Sequence, residues 1–382
     1  MKLINKVCRS ILNYNEEKIV RQILDIADFD IIKNDVVSGK DIIAVMPTIY
    51  PHAGGETSAL RIFHYLSENG FHVDVCCYDS DNTELMQKNA IVNVNGFGGK
   101  FISFNTAKQK KYNFCIMTNW ISVYYGKKLS GYKIYFVQDY EPYFKEVGDQ
   151  SCLAKKTYEF GLHIISLGKW NLKQINQNCI TSSEMDFIDF PFEPNEYPYK
   201  KRDYSIYSTK KTIKLVIYIK RVGRRIPIIM QYLIQKTQKE LAKSGIQLEA
   251  YFFGLNPKDK VFIGKNMGKL SKLELCQLYY KADFGMVASI TNMSLVPMEM
   301  HACGLPLIEF IDGSYQHFLG KDTAILIDYD YKVLTRKLLH YLKHPSELEE
   351  MNTRARVQFK SYTWKNTCKQ FKTLIDNIIS AR

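Results

Sequence analysis

The chain alternates short apolar runs with amphipathic helical stretches, and it does so in two separate halves. The first half begins at IIAVMP (42–47), an apolar run stopped by a proline. A glycine-containing loop, TIYPHAGGETSA, follows. Next comes a helical pattern across 57–69, with Ala59, Leu60, Phe63 and Leu66 on one face. Asn69-Gly70 stops that helix, and FHVDVCCY (71–78) is the next strand. Strand, loop, helix, strand is the repeating unit of a parallel sheet. Further strands are predicted at 91–94, 114–118, 133–138 and 162–166. The rhythm breaks around 190–212, where PFEPNEYPYKKRDYSIYSTKK carries three prolines, many charges and no periodicity. It restarts with TIKLVIYI (212–219), followed by strands at 248–254, 283–289 and 305–310. Helices are predicted at about 226–243 and from Ser271 to Ala282. From about 345 the chain reads as helix, with a break near Trp364 and an apolar face of Phe371, Leu374, Ile375 and Ile378.

The expected architecture is therefore α/β: two Rossmann-like lobes with a cleft between them and a C-terminal helix crossing back to the first lobe. The expected boundaries are an N-terminal extension (1–38), a first lobe (39–195), a second lobe (196–362) and the returning helix (363–382). Ligands of such sheets sit at the carboxyl ends of the strands.

Composition narrows the partners. The net charge of +13 favours phosphates, nucleic acid or an anionic membrane surface. No RNA-binding strand motif is present and no Gly-x-x-Gly clamp stands in a suitable context, so nucleic acid is not expected. No run reaches the roughly 18 to 20 apolar residues that span a bilayer. The N-terminus lacks the apolar core and cleavage site of a secretory signal, which predicts a cytoplasmic protein. The nine cysteines form no C-x-x-C pair, so neither zinc nor dithiol chemistry is expected. In the extension, Ile19, Ile23, Ile26 and Ala27 share one helical face among Lys2, Lys6, Arg9, Lys18 and Arg21. The plainer reading is a packing helix. The other is a foot on an anionic membrane, making the protein peripheral on the inner face.

The chemistry-bearing stretch is SLVPMEMHACGLP (294–306). Ser294 is placed to cap a helix with Pro297 in its first turn. The free N–H groups of such a turn attract an anion. Glu299, one turn in, suits a ribose hydroxyl better than a phosphate. Gly304 and Pro306 stop the helix. The plain alternative is an ordinary capped helix with a surface glutamate.

The pattern Ser-x-x-Pro-x-Glu-x-x-x-Cys-Gly-x-Pro resembles the signature helix of GT-B glycosyltransferases near family 4. The resemblance implies that Glu299 binds the nucleotide ribose and that Ser294, Leu295 and Val296 face the diphosphate. The family often carries an earlier glutamate that contacts the donor sugar; Thr291 stands there, so donor contacts differ. YIKRVGRRIPI (218–228) is similar to the strand-end segment that supplies a basic residue for the diphosphate. Arg221 and Arg225 are the candidates, with Arg224 in reserve. A planar guanidinium pairs well with phosphate oxygens. Against this, Lys200 to Arg225 holds ten basic residues and one acid, so most are bystanders. Asn266, Met267 and Gly268 occupy the place that lies along the base in the family. Ser271 and Glu274 read as a capping box.

YFVQDYEPYF (135–144) resembles the Gln-x-Tyr-Glu-Pro element of WsaF-like rhamnosyltransferases, and PHAGGETSALRIF resembles the Gly-Gly loop of GT-B first lobes. The resemblance runs in order over roughly 40–380. It implies dTDP-L-rhamnose as donor and a cell-surface polysaccharide or lipid-linked glycan as acceptor, with His52, Gly54, Gly55 and Gln138 on the substrates. Asp139 or Glu141 acts as base or orients the acceptor hydroxyl; the alternative is a loop carboxylate paired with a lysine. A retaining enzyme needs no side-chain base, because the leaving diphosphate can take the proton. Arg221, Arg225 and the helix at 295 then stabilise the leaving group, and no metal or other cofactor is expected. Asp79-Ser80-Asp81 could chelate a divalent cation as in GT-A enzymes, but follows a strand of a Rossmann-like lobe. His301 reads as a packing or surface residue. The competing functions are transfer from another donor, such as a UDP-hexose, and a catalytically silent glycan-binding scaffold.

Overall fold

The computed structural model describes residues 16–380 other than His52 and Pro194. The first unit ends at Asp189 and takes the chain back at Thr367; the second unit is Phe190–Asn366.

The first unit is built on seven parallel strands: β1 (Asp41–Met46), β2 (His72–Cys77), β3 (Lys100–Phe101), β4 (Phe114–Met117), β5 (Tyr132–Val137), β6 (His163–Leu167) and β7 (Met185–Ile188). Their order across the sheet is β3-β2-β1-β4-β5-β6-β7. Ile42 to Val45, Phe114 to Met117 and Ile134 to Phe136 are wholly buried. That continuous burial is why these strands read as apolar runs and not as alternating ones.

Two strands differ from expectation. Residues 91–94 are not a strand: Ile91 and Val92 lie in the helix Thr83–Asn93, both exposed, while Met86 and Ala90 form its inner side. The edge strand β3 comes later, after Gly96-Phe97-Gly98-Gly99. β7 carries no apolar run, since only Ile188 of its four residues is buried.

The segment before β1 packs against this unit. Residues 16–26 are helical, with Ile23 buried. Ile32 N–H donates to the Phe160 carbonyl (2.8 Å), and Lys133 N–H donates to Asn34 Oδ1 (2.7 Å). Lys127 Nζ donates to the carbonyls of Asp28 and Asp30 and lies 4.1 Å above the Phe160 ring. Within the described residues this is the packing role; Lys2, Lys6 and Arg9 of the membrane reading lie outside them. The helix Trp364–Ser380 closes the unit: Phe371 meets Phe136 of β5 edge-on at 5.6 Å, and Thr367 Oγ1 donates to the Asp189 carbonyl.

The second unit holds six parallel strands: β8 (Thr212–Tyr218), β9 (Gln247–Phe253), β10 (Lys265–Asn266), β11 (Phe284–Met286), β12 (Leu307–Phe310) and β13 (Ile325–Ile327). Their order is β10-β9-β8-β11-β12-β13. One core joins Ile213, Leu215 and Ile217 of β8 to Leu233 and Ile234 of the helix Pro227–Lys243 and to Leu334 and Leu338 of the helix Tyr331–Lys343. In both sheets the strand order reverses beside the first strand, between β1 and β4 and between β8 and β11. A crevice opens at that point in such folds.

Three basic residues of the 200–225 stretch have structural work here. Arg202 donates to the carbonyls of Tyr279, Ala282 and Gly304, fastening the incoming chain. Lys210 pairs with Asp283 at 3.0 Å, and Arg221 with Asp259 at 3.3 Å. Among the described residues, no helix is long and apolar enough to cross a membrane.

Candidate functional site

The carboxyl end of β8 leads into a strained turn. Ile219 N–H still pairs with the Phe253 carbonyl, and the chain then leaves the sheet. Gly223–Arg225 forms a single 3₁₀ turn, and Ile226 takes φ 37° and ψ 51°. Ile226 is the sole non-glycine residue with positive φ among the described residues. A β-branched residue pays for that conformation, doubly so ahead of Pro227. The strain coincides with the inward turn of Arg225. Arg225 is 8% exposed, and its guanidinium donates to the carbonyls of Ala288 (3.1 Å) and Asn292 (3.4 Å), just past β11. The remaining N–H groups of the guanidinium are left for other acceptors. Arg221 is exposed.

A second buried group faces the same strand ends. Glu309 on β12 has no solvent exposure. Its carboxylate accepts Ser289 Oγ–H (2.6 Å), Ser289 N–H (3.1 Å) and Phe310 N–H (3.3 Å). Burial pushes its pKa up to about 7, against the opposing pull of the Ser289 hydrogen bonds and the Arg225 charge. Sequence reading missed Glu309. The available signal was a lone acid inside the apolar run LPLIEF.

The signature helix is shorter than expected and begins differently. It spans Val296–Ala302, with Leu295 at the N-cap position and no side-chain cap. Ser294 does not cap it, and the Ser294 Oγ is buried without a hydrogen-bond partner. Glu299 is partly buried. Its pKa is raised to about 7 by burial, opposed by the hydrogen bond from Tyr197. Thr291, in place of the family's first glutamate, is buried. His301 is wholly buried, with Nε2 2.7 Å from the Tyr315 hydroxyl, so it is a packing residue.

Asn266 fixes the loop beside Arg221. Its Nδ2 donates to the carbonyls of Asn256 (2.8 Å) and Asp259 (2.9 Å), and its Oδ1 accepts from Gly268 N–H. Met267 N–H continues the ladder to the Phe252 carbonyl, and Gly254 N–H donates to the Gly268 carbonyl. Asn266, Met267 and Gly268 therefore sit at the carboxyl edge of β9, with Arg221 held nearby through Asp259. The capping box of Ser271 and Glu274 is present.

In the first unit the glycines open the helix Gly54–Glu68 instead of lying in the loop before it. Gly55 is next to Gln138: a Cβ on Gly55 would lie 3.8 Å from Gln138 Oε1. His52 lies outside the described residues. Asp139 is buried, and its carboxylate accepts the Tyr140 N–H (2.9 Å). Glu141 lies in the single 3₁₀ turn Glu141–Phe144. Its carboxylate accepts the N–H of Trp120, which opens the helix Trp120–Gly126, and the hydroxyl of Tyr135. The Tyr135 ring stacks on Tyr158, which stacks on Tyr140. Asp79 accepts the Thr48 hydroxyl at 2.9 Å.

No protein-family model and no curated protein sequence matches the chain. Solved structures do. Sucrose-phosphate synthase from Thermosynechococcus elongatus superposes with a TM-score of 0.67 at 14% identity, over 90% of this chain and 100% of that one. HepE from Anabaena, in complex with UDP-glucose, gives 0.66 at 12% identity, over 88% and 99%. WaaG, a glycosyltransferase of lipopolysaccharide biosynthesis, gives 0.60 at 14% identity, over 87% and 99%. The two parallel-sheet α/β domains have the GT-B fold of these enzymes.

Proposed function

We propose that the chain is a nucleotide-sugar-dependent glycosyltransferase. The observation that carries this reading is the buried guanidinium of Arg225, turned in by a strained residue at the strand-order reversal of the second sheet. Arg225 and Arg221 hold the donor diphosphate, with Ser294, Leu295 and Val296 along its approach. Glu299, which accepts a hydrogen bond from Tyr197, also accepts one from a ribose hydroxyl, and Asn266, Met267 and Gly268 lie along the base. The first unit takes the acceptor through His52, Gly54, Gly55 and Gln138. Asp139 orients the acceptor hydroxyl, while Glu141 holds the loop through Trp120 and Tyr135.

In the reaction, the bond from the sugar's anomeric carbon to the diphosphate oxygen breaks and a bond to the acceptor oxygen forms. The acceptor proton passes to the departing diphosphate. Guanidinium charge fixed beforehand stabilises that leaving group, with no metal or other cofactor in the scheme.

The 135–144 resemblance supports dTDP-L-rhamnose as donor and a cell-surface polysaccharide or lipid-linked glycan as acceptor, met at the cytoplasmic face of a membrane. A second reading, a UDP-hexose donor, is favoured by the fold likeness to HepE, whose structure contains UDP-glucose. Thermal unfolding with dTDP, UDP and GDP, followed by donor hydrolysis, tests both. The expected result is stabilisation by dTDP, weakened in Arg225→Ala and Glu299→Ala, and faster hydrolysis of dTDP-L-rhamnose than of UDP-glucose. The reverse preference selects the second reading. No stabilisation by any nucleotide and no turnover overturns both and leaves a glycan-binding scaffold.

A further inference from the structure

Arg225 does not hold itself in place. Its two resolved hydrogen bonds end on the carbonyls of Ala288 and Asn292, so its aim is set by the loop between them. That loop is anchored at Ser289, from three sides. Glu309 takes its hydroxyl and its N–H. Ser314 donates both N–H (2.7 Å) and Oγ–H (3.2 Å) to its carbonyl. Gly313 packs so closely that a Cβ there would come 2.5 Å from the same carbonyl oxygen. Ser289, Glu309 and Ser314 are wholly buried.

Burying an acid on an otherwise apolar strand costs stability. The carboxylate accepts two donors from Ser289, fixing the loop that carries the two carbonyls seen by Arg225.

We propose that Glu309 is a positioning residue for the donor diphosphate, acting through Ser289 and the 288–292 loop to aim the Arg225 guanidinium. This rests on the glycosyltransferase reading. Glu309 touches neither donor nor acceptor in this scheme. Its removal leaves Arg225 present but free to settle on other acceptors, so the loss falls on diphosphate recognition and not on binding of the nucleoside.

The test compares dTDP with dTMP, and UDP with UMP, by calorimetry on the full chain. The readout is the ratio of diphosphate to monophosphate affinity. In Glu309→Gln that ratio falls about tenfold, and in the Arg225→Ala background the same change adds nothing further. Ser289→Ala, which removes only the hydroxyl contact, lowers the ratio in the same direction and serves if Glu309→Gln does not fold. A purely structural role would lower the melting temperature and leave the ratio unchanged. An unchanged ratio in both variants, or a further loss in the Arg225→Ala background, overturns the proposal while leaving the glycosyltransferase reading intact. If the wild-type chain binds no nucleoside diphosphate, that reading falls and the positioning role falls with it.

Discussion

Replacing Glu309 by glutamine should change how the second unit's stability depends on pH. The Glu309 carboxyl has its pKa raised from 4.5 to about 7, chiefly by burial. Each tenfold change in proton affinity is worth ~1.4 kcal/mol, so the ionised form carries a folding penalty of about 3 kcal/mol. The sign follows from proton counting. Between the two values the folded state holds the proton that the unfolded chain has lost, so stability falls as pH rises through this window. Below pH 4.5 the penalty is absent, and above about 7 it is fully present. Glutamine does not titrate. Its amide faces the Ser289 N–H imperfectly, which adds a constant offset of ~1–3 kcal/mol to the variant at every pH. The quantity of interest is therefore the stability of Glu309→Gln minus wild type. It should rise by about 3 kcal/mol from pH 4.5 to 7 and then level off. Hydrogen exchange of the β8, β11 and β12 peptides, corrected for intrinsic rates, reads this difference locally. A flat difference across that range would show that Glu309 ionises freely, and the closed Ser289–Glu309 arrangement would be refuted.

Three further outcomes follow. Burial lowers the His301 pKa from 6.5 to about 4. Its stabilising contribution is thus complete above 6.5 and lost as pH falls towards 4, and its ring resonances should keep their neutral positions at pH 5.5; a midpoint near 6.5 would contradict the burial. Gly264→Ala should lower the second unit's stability by ~2 kcal/mol or more, because Gly264 has φ +72° and a Cβ there would meet the Ala250 carbonyl oxygen at 2.2 Å; an unchanged melting temperature would refute the turn. Glu141→Ala should cost ~1–2 kcal/mol and expose the Trp120 amide to exchange, since the carboxylate caps that helix; retained protection at Trp120 would refute the cap.

The sequence exposed the sheets where strands are long and covered on both faces. β1, β5 and β8 each carry an apolar run, Ile42–Met46, Ile134–Val137 and Leu215–Ile217, that is buried at every position, the pattern of a strand covered on both faces. β3 and β10 have two residues each and β13 has three, too few to carry any period. Residues 91–94 misled because β-branched residues on the outer side of a helix imitate a strand. The site divides in the same way. Arg225 and Glu299 were legible because local motifs surround them. Glu309 was not, since its meaning lies in a bond to Ser289, twenty positions away on the neighbouring strand end. Nor was the left-handed Ile226, which no residue preference predicts. Ser294 shows the limit of motif reading: a good capping residue at a suitable spacing, displaced by a helix that starts one residue later.

The two sheets share a strand order but treat their charges differently, and the difference argues for where an anion belongs. In the first unit, Asp139 and Glu141 spend hydrogen-bonding capacity on backbone N–H groups and a tyrosine, fixing the 138–144 segment. In the second unit, three basic residues of the 200–225 stretch have partners of their own: Arg202 donates to carbonyls away from β8, Lys210 pairs with Asp283, and Arg221, still exposed, pairs with Asp259. Arg225 is different. Its resolved bonds go to neutral carbonyls, which orient the guanidinium without cancelling its charge. The carboxyl that senses it, Glu309, is pushed towards its uncharged form and faces Ser289. A buried cation, oriented by dipoles and incompletely neutralised, is costly for folding alone. Set at the carboxyl end of the central strand, where the strand order reverses, it is the group that a donor phosphate would complete under the proposed function.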